Sequence, residues 1–303
     1  LGSAALVTTE RRTLQDYHRR ILSDPAGYGL EVRTLDIGTP AQLYLPAATP
    51  GAARKSRALR AELAARGMTV PAWDRPVGTL VLLHGRNGRK EDHLPIAERF
   101  CAAGFACLAC DLPGAGEHAS PHSTFGAKET GEIAALLAAA RETEALPAPA
   151  GLFGISQGGA IALQTAQQFP DDFYAVATIA SFARLDAMIE QGAHRLHPTV
   201  QPIAVPATAL VRIGTVMRAG FDPGRIRPAR SASSLEIPVF VGHGSLDQFI
   251  PPSHAELIYD AVPHDRKVLR MVPDGTHNDV LAKGGNDFYA DIATFFLQHL
   301  PAP

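Results

Sequence analysis

Chemistry in this chain gathers around Gly154-Ile155-Ser156-Gln157-Gly158-Gly159, a G-x-S-x-G run where the apolar stretch Ala150 to Ile155 meets a small-residue stretch that reads as helix. A serine held on such a strand-to-helix turn is the nucleophile-elbow arrangement. The turn is so tight that the positions two before and two after the serine crowd together, and Gly154 and Gly158 keep that space free of side chains. Gly159 and Ala160 let the helix start lie close to the sheet, so its free N–H groups and dipole face the serine. Acyl transfer by serine then needs a base to take its proton, an acid to orient the base, and amides to hold the oxyanion.

Twelve histidines compete for the role of base. His84 ends a strand and reads as structural, while His194 and His197 lack a third partner for a metal and read as surface residues. His277 differs, because it follows the apolar run Lys267 to Val272 in the loop Pro273-Asp274-Gly275-Thr276-His277-Asn278-Asp279, from which an imidazole can reach across to Ser156. The acid is best placed at Asp247, directly after the run Pro238 to Gly242. Asp111 is its rival at another strand end, and Asp274 and Asp279 stand too near His277 to orient it. One oxyanion amide is expected from Gln157, next after the nucleophile, and a second from Arg86, where Gly85 lets the backbone turn. On this reading the Arg86 side chain leaves the site and its charge need not matter.

These residues need a scaffold that brings strand ends together. From Gly78 onward, short apolar runs alternate with helical patterns, as expected of a mostly parallel sheet wrapped by helices. The strands are read at Gly78 to Gly85, Phe105 to Asp111, Gly151 to Ile155, Tyr174 to Ala180, Pro238 to Gly242 and Lys267 to Val272. Helices fall between them, one with Ser123 or Thr124 as N-cap. Leu30 to Ile37 and Gln42 to Leu45 read as a hairpin at one edge. Residues 1–29 form an N-terminal segment ahead of a body spanning 30–303. Phe182 to Glu236 interrupts the alternation and reads as a helical lid, with Pro198, Pro202 and Pro206 preceding an apolar helix Ala207 to Met217. Leu210, Val211, Ile213, Val216 and Met217 are expected either to line an acyl pocket or to pack the lid onto the body. The cluster Arg54, Lys55, Arg57 and Arg60 reads as a solvated helix face.

Composition narrows the partners. With 303 residues and 46% hydrophobic side chains the chain can bury one sizeable core, and 28 Lys+Arg against 30 Asp+Glu lack the basic footprint of a nucleic-acid binder. No apolar run reaches the length of a membrane span. The three cysteines, Cys101, Cys107 and Cys110, do not make a secreted disulfide framework. Cys107 and Cys110 fall on opposite faces of one strand and read as free and buried. That usage leans to a cytoplasmic protein, with export left open by the leading Leu1-Gly2-Ser3-Ala4-Ala5-Leu6.

Together these residues resemble the α/β-hydrolase superfamily across Leu30 to Leu300. The resemblance rests on Leu83-His84-Gly85, on Asp111-Leu112-Pro113-Gly114-Ala115-Gly116, on the elbow, on Pro238 to Gly244 leading to Asp247 with Ile250-Pro251 behind it, and on His277. The order Ser156, Asp247, His277 is the one that this superfamily implies. Ile237-Pro238 and the ending around His277 look like the branch of serine aminopeptidase-like hydrolases, lysophospholipases and acyl-protein thioesterases. Arg86 and Glu117-His118 depart from that branch, where a small or amide residue and a serine are common. A serine at the elbow disfavours dehalogenase and epoxide-hydrolase chemistry.

The resulting expectation is a serine carboxylesterase acting on a small-molecule ester without a cofactor. Thioester or amide cleavage and acyl transfer to an alcohol are its neighbours, and a peptidase would need Asp186 or Glu190 to bind a substrate ammonium. A non-catalytic homologue that binds a ligand in the same pocket is the reading of another class, disfavoured by the apparent triad. The many arginines of the lid read as surface solvation ahead of an anionic-substrate site.

Overall fold

The computed structural model describes residues 2–49, 53–196 and 198–301. Leu30–Asp36 (β1) and Pro40–Pro46 (β2) form the expected antiparallel hairpin, and β2 pairs antiparallel with β4. Gly78–Leu83 (β3), Phe105–Cys110 (β4), Ala150–Ile155 (β5), Val176–Ile179 (β6), Val239–Gly244 (β7) and Lys267–Val272 (β8) run parallel. Among the described residues these eight strands make one sheet in the order β1-β2-β4-β3-β5-β6-β7-β8. The chain leaves β3 to one side and returns to its other side as β5. That reversal opens a crevice at the carboxyl ends of the strands, where ligands bind in open α/β sheets.

The helices are Gly2–Val7 (α1), Asp16–Ser23 (α2), Arg54–Ala65 (α3), Leu94–Ala102 (α4), Glu129–Thr143 (α5), Gln157–Gln168 (α6), Leu185–His194 (α7), Gln201–Ala219 (α8), Pro228–Ala232 (α9), Ser253–Ala261 (α10) and Val280–Gln298 (α11), the last broken at Gly285. Strand β3 is buried throughout, with Leu80 and Leu82 on one face of the sheet and Val81 and Leu83 on the other. A continuous apolar run of this kind is what a parallel strand covered on both sides requires. Leu59, Phe100 and Phe296 from α3, α4 and α11 fill one face, and Leu137, Ile161 and Ile258 from α5, α6 and α10 fill the other. Cys107 and Cys110 lie on opposite faces as expected, and all three cysteines are free and buried.

The insertion between β6 and β7 carries α7, α8 and α9. Helix α8 starts six residues before the expected Ala207, because Pro202 sits in the first turn, where a missing N–H costs nothing, and Pro206 is carried inside. The start expected near Ser123 or Thr124 is also corrected. Helix α5 begins only at Glu129, whose buried carboxylate gathers the Gly126 and Thr124 N–H groups and the Thr124 hydroxyl into a tight loop ahead of it. Arg60 is not solvated either. It donates to the Pro71 and Ala102 carbonyls and stacks over Trp73, tying α3 to the body.

The N-terminal segment packs against this body. Val7 is fully buried among Phe125, Phe182, Leu185 and Ile250. Its carbonyl accepts the Ser123 N–H at 3.0 Å, and the Thr9 hydroxyl donates to the Gly114 carbonyl.

Candidate active site

Ser156 stands between β5 and α6 with φ 53° and ψ −117°, a backbone conformation that a side chain tolerates only when its surroundings impose it. The imposing contacts are the glycines. A Cβ on Gly154 would meet the Gly158 carbonyl oxygen at 2.3 Å, and one on Gly158 would meet the Leu83 carbonyl oxygen at 2.1 Å. Gly159 lies equally close to Thr178 on β6, so α6 begins against the sheet as expected. The Ser156 N–H donates to Ile179 O at 2.7 Å and its carbonyl accepts the Ser181 hydroxyl at 2.9 Å, which fastens both sides of the elbow to β6 and the turn after it.

Two loops bring the other groups to the elbow. Asp247 follows β7 and His277 follows β8, and these loops touch so closely that a Cβ on Gly244 would meet the Gly275 carbonyl oxygen at 2.3 Å. The Leu246 N–H bonds to that carbonyl, and the Asp274 N–H bonds to the Ser245 hydroxyl. His277 Nδ1 then lies 2.8 Å from Asp247 Oδ2, and His277 Nε2 lies 3.0 Å from Ser156 Oγ. With the Nδ1 proton given to the carboxylate, Nε2 is free to accept the serine hydroxyl. Asp279 does not orient His277. Its carboxylate accepts from the Thr276 N–H and hydroxyl and holds the loop.

Asp247 is buried and fully engaged. Its Oδ1 accepts the Phe249 and Ile250 N–H groups at 2.9 and 2.8 Å, and its Oδ2 lies 3.3 Å from His243 Nε2. Burial pushes this carboxyl up, but hydrogen bonds from His243, from His277 and from the Ile250 amide outweigh burial and hold it below the usual carboxylate range. The carboxylate therefore stays charged beside the imidazole.

The rival Asp111 is spent elsewhere. It accepts the Lys90 N–H and ammonium at 2.8 and 2.9 Å and the Glu117 N–H at 2.8 Å, inside a buried ionic cluster. His84 is structural, as expected: Nδ1 bonds to Gly85 O at 2.8 Å and Nε2 accepts the Leu112 N–H at 3.0 Å, joining the ends of β3 and β4.

Arg86 and Gln157 both line a cavity of about 210 Å³ that has Ser156 at its floor. Its walls include Leu6 of α1, Phe125, four residues of α7 (Leu185, Met188, Ile189 and Gly192) and Phe249, together with Arg195. The expectation for α8 needs correction, because its apolar residues neither line this cavity nor all pack inward. Leu210, Ile213, Val216 and Met217 face solvent, and α7 supplies the cavity wall instead. The Arg86 side chain also has a structural task that the sequence did not show. It donates to Leu6 O at 2.6 Å, Ala5 O at 2.5 Å and Thr8 O at 2.9 Å.

Three supporting residues were given no role at the site in the sequence, Ser123 being read only as a helix N-cap. His243 stands four residues before Asp247 in the same turn, a spacing that could have marked it. Ser123 accepts the Gln157 side-chain amide at 2.7 Å, and Glu129 shapes the loop that carries Phe125. Ser123 has no local signal, since Gln157 lies 34 residues along the chain, whereas the partners of Glu129, Thr124 and Gly126, lie just before it. Among the described residues no group of three or more His, Cys, Asp or Glu could hold a metal. The pairing of His194 with His197 involves a residue outside the described set.

Known proteins agree with this architecture. The family model described as serine aminopeptidase, S33, matches residues 74–218, a span that includes Ser156 and ends before Asp247 and His277. An esterase of Pyrococcus furiosus superposes with a TM-score of 0.67 at 15% identity, over 97% of this chain and 100% of that one. A puromycin-hydrolyzing peptidase of Mycobacterium tuberculosis gives 0.63 at 17% identity, over 91% of this chain and 40% of that one. An acylaminoacyl peptidase of Pyrococcus horikoshii gives 0.61 at 14% identity, over 97% of this chain and 47% of that one. No curated protein matches the chain in sequence. Eight strands in this order, an elbow at the end of β5 and the matches above agree: the chain has the α/β-hydrolase fold, and its residues 74–218 are similar to the serine aminopeptidase family.

Proposed function

We propose that this protein is a serine hydrolase that cleaves carboxylic esters through an acyl-enzyme. The observation that carries the reading is the unbroken hydrogen-bonded line from Ser156 Oγ through His277 to Asp247, with the serine opening into an apolar cavity. Ser156 Oγ attacks the ester carbonyl as its proton passes to His277 Nε2, and Asp247 stabilises the imidazolium that forms. The N–H groups of Arg86 and Gln157 receive the oxyanion, a contribution of about 2.7–4 kcal/mol per donor in a comparable enzyme. His277 returns the proton to the leaving alcohol. Water then enters, gives its proton to His277 and attacks the acyl carbonyl, and collapse of the second tetrahedral intermediate frees Ser156. No step calls for a cofactor.

The cavity favours esters over amino-terminal peptides. Its two charged lining residues are Arg86 and Arg195, and no carboxylate lines it among the described residues. Asp186, a candidate to bind a substrate ammonium, is taken by Arg184 and Arg227. In this reading residues 30–303 are the hydrolase body and Phe182 to Glu236 act as its lid, with α7 over the acyl site.

The test compares p-nitrophenyl esters with aminoacyl p-nitroanilides, in the parent and in Ser156→Ala. Ester turnover that vanishes in the folded variant is the expected result. Retention of turnover in Ser156→Ala, or a preference for the anilides, would overturn the ester reading. Failure of a fluorophosphonate to label Ser156 would favour the non-catalytic alternative.

A further inference from the structure

The end of α1 sits on the cavity at Ser156, and it is held there by Arg86, the residue whose amide the proposed mechanism gives to the oxyanion. Helix α1 leaves its last carbonyls without partners inside the helix. The Arg86 guanidinium takes Ala5 O, Leu6 O and Thr8 O together, and its positive charge meets the negative end of the helix. The same guanidinium lies 5.6 Å from the Phe125 ring centroid, stacking over another cavity wall. On its far side α1 packs into α8, where Gly214 gives room to Ser3 and Gly2 approaches Val211. Arg89 adds a tie farther along the segment, donating to Arg12 O at 2.9 Å. The helix is thus held by Arg86 on one side and by α8 on the other, and Ala5 and Leu6 line the space above Ser156.

We propose that residues 2–12 are a fixed wall of the acyl pocket, that Leu6 limits the length of the acyl chain, and that Arg86 is the positioning residue that holds this wall. The substrate class is then an ester with a compact apolar acyl group. A cavity of about 210 Å³ lined by Leu6, Phe125, Leu185, Met188, Ile189 and Phe249 suits such a group, and the Arg86 guanidinium beside it is occupied by the carbonyls of residues 5, 6 and 8. It is smaller than the roughly 300–1,000 Å³ of sites for drug-sized ligands. The inference rests on the ester-hydrolase reading above.

The experiment measures kcat/KM for p-nitrophenyl esters from acetate to decanoate in the full chain and in Leu6→Ala, Leu6→Trp and Arg86→Met, with fluorophosphonate labelling of Ser156 in parallel. Leu6→Ala is expected to move the optimum to longer chains. Leu6→Trp should move it to shorter ones, with the long-to-short ratio changing by about tenfold or more in each direction, as single pocket methylenes do. Arg86→Met should flatten the profile and expose residues 2–12 to limited proteolysis, a readout that does not depend on hydrolysis. A wall that merely stabilised the fold would lower all rates together and leave the ratio unmoved. If Ser156 is labelled while both Leu6 variants keep the parental profile, the inference is overturned. An unlabelled, inactive parent overturns the hydrolase reading instead and removes the inference with it.

Discussion

His243 and His277 share one oxygen of Asp247: His277 Nδ1 lies 2.8 Å and His243 Nε2 3.3 Å from Oδ2. His243 is completely buried, and the same Nε2 also lies 2.8 Å from Ile250 O, so its proton is shared between the carboxylate and the turn that follows it. The acid is therefore held from behind by one imidazole while it orients another.

Replacing this second imidazole tests its weight. His243→Phe removes one donor to a charged group, an interaction of about 1.5–3 kcal/mol. The expected outcome is a fall in kcat of roughly ten- to hundredfold with KM little changed, and partial recovery in His243→Gln, which can still donate. Steady-state kinetics on a p-nitrophenyl ester checks both.

Asp247→Asn should cost far more, because the amide no longer holds His277 in the tautomer with Nε2 free. A loss of about 10⁴-fold in kcat is expected from triads of this geometry, with circular dichroism confirming an unchanged fold.

The same residue links stability to pH. The folded Asp247 carboxyl lies below its unfolded value of about 3.9, so the native chain binds that proton less readily than the unfolded one. Its contribution to stability is complete above that unfolded value and is lost as pH falls through the lower folded one. Parent and Asp247→Asn should therefore differ most in urea midpoint near neutrality, and the gap should narrow in acid.

Lys90 carries a buried charge with no solvent to fall back on. Its ammonium meets Asp111 at 2.9 Å, Glu117 at 2.5 Å and Glu91 at 3.2 Å. Lys90→Met leaves Asp111 and Glu91 without their cation and is expected to cost about 3–5 kcal/mol, read from urea unfolding. Ser156 labelling in the surviving folded fraction should persist, since the cluster does not touch the serine.

The elbow glycines should refuse even a methyl group. Gly154→Ala and Gly158→Ala each drive a Cβ into a backbone carbonyl of a neighbouring segment, so no rotamer change relieves them. A loss on the order of 2–4 kcal/mol, or failure to fold, is expected. Gly131→Ala, whose Cβ would meet nothing within 4 Å, serves as the control and should be tolerated.

Much of this was legible in the chain itself. Alternating apolar runs and helical patterns marked the parallel strands to within a few residues, because strands buried on both faces, β3 to β7, are apolar almost throughout. Gly154, Ser156 and Gly158 announced the elbow, since only glycine fits where backbones collide. The positions of Asp247 and His277 followed from their place just after strands, where a parallel sheet collects its loops. Boundaries inside the insertion were less legible. The prolines of α8 looked like breakers, yet Pro202 falls in the first turn, where the donor it lacks was not needed.

By itself, then, the sequence determined the parallel scaffold and the elbow that holds Ser156, because each depends on local periodicity or on space near one residue. Only the tertiary structure decided which apolar residues line the cavity at Ser156. It gave that place to Leu6 and to α7 rather than to α8, and it made the Arg86 side chain a clamp. Those choices depend on how distant segments pack, and no spacing along the chain records that Ala5 and Arg86, 81 residues apart, share a hydrogen bond over the active serine.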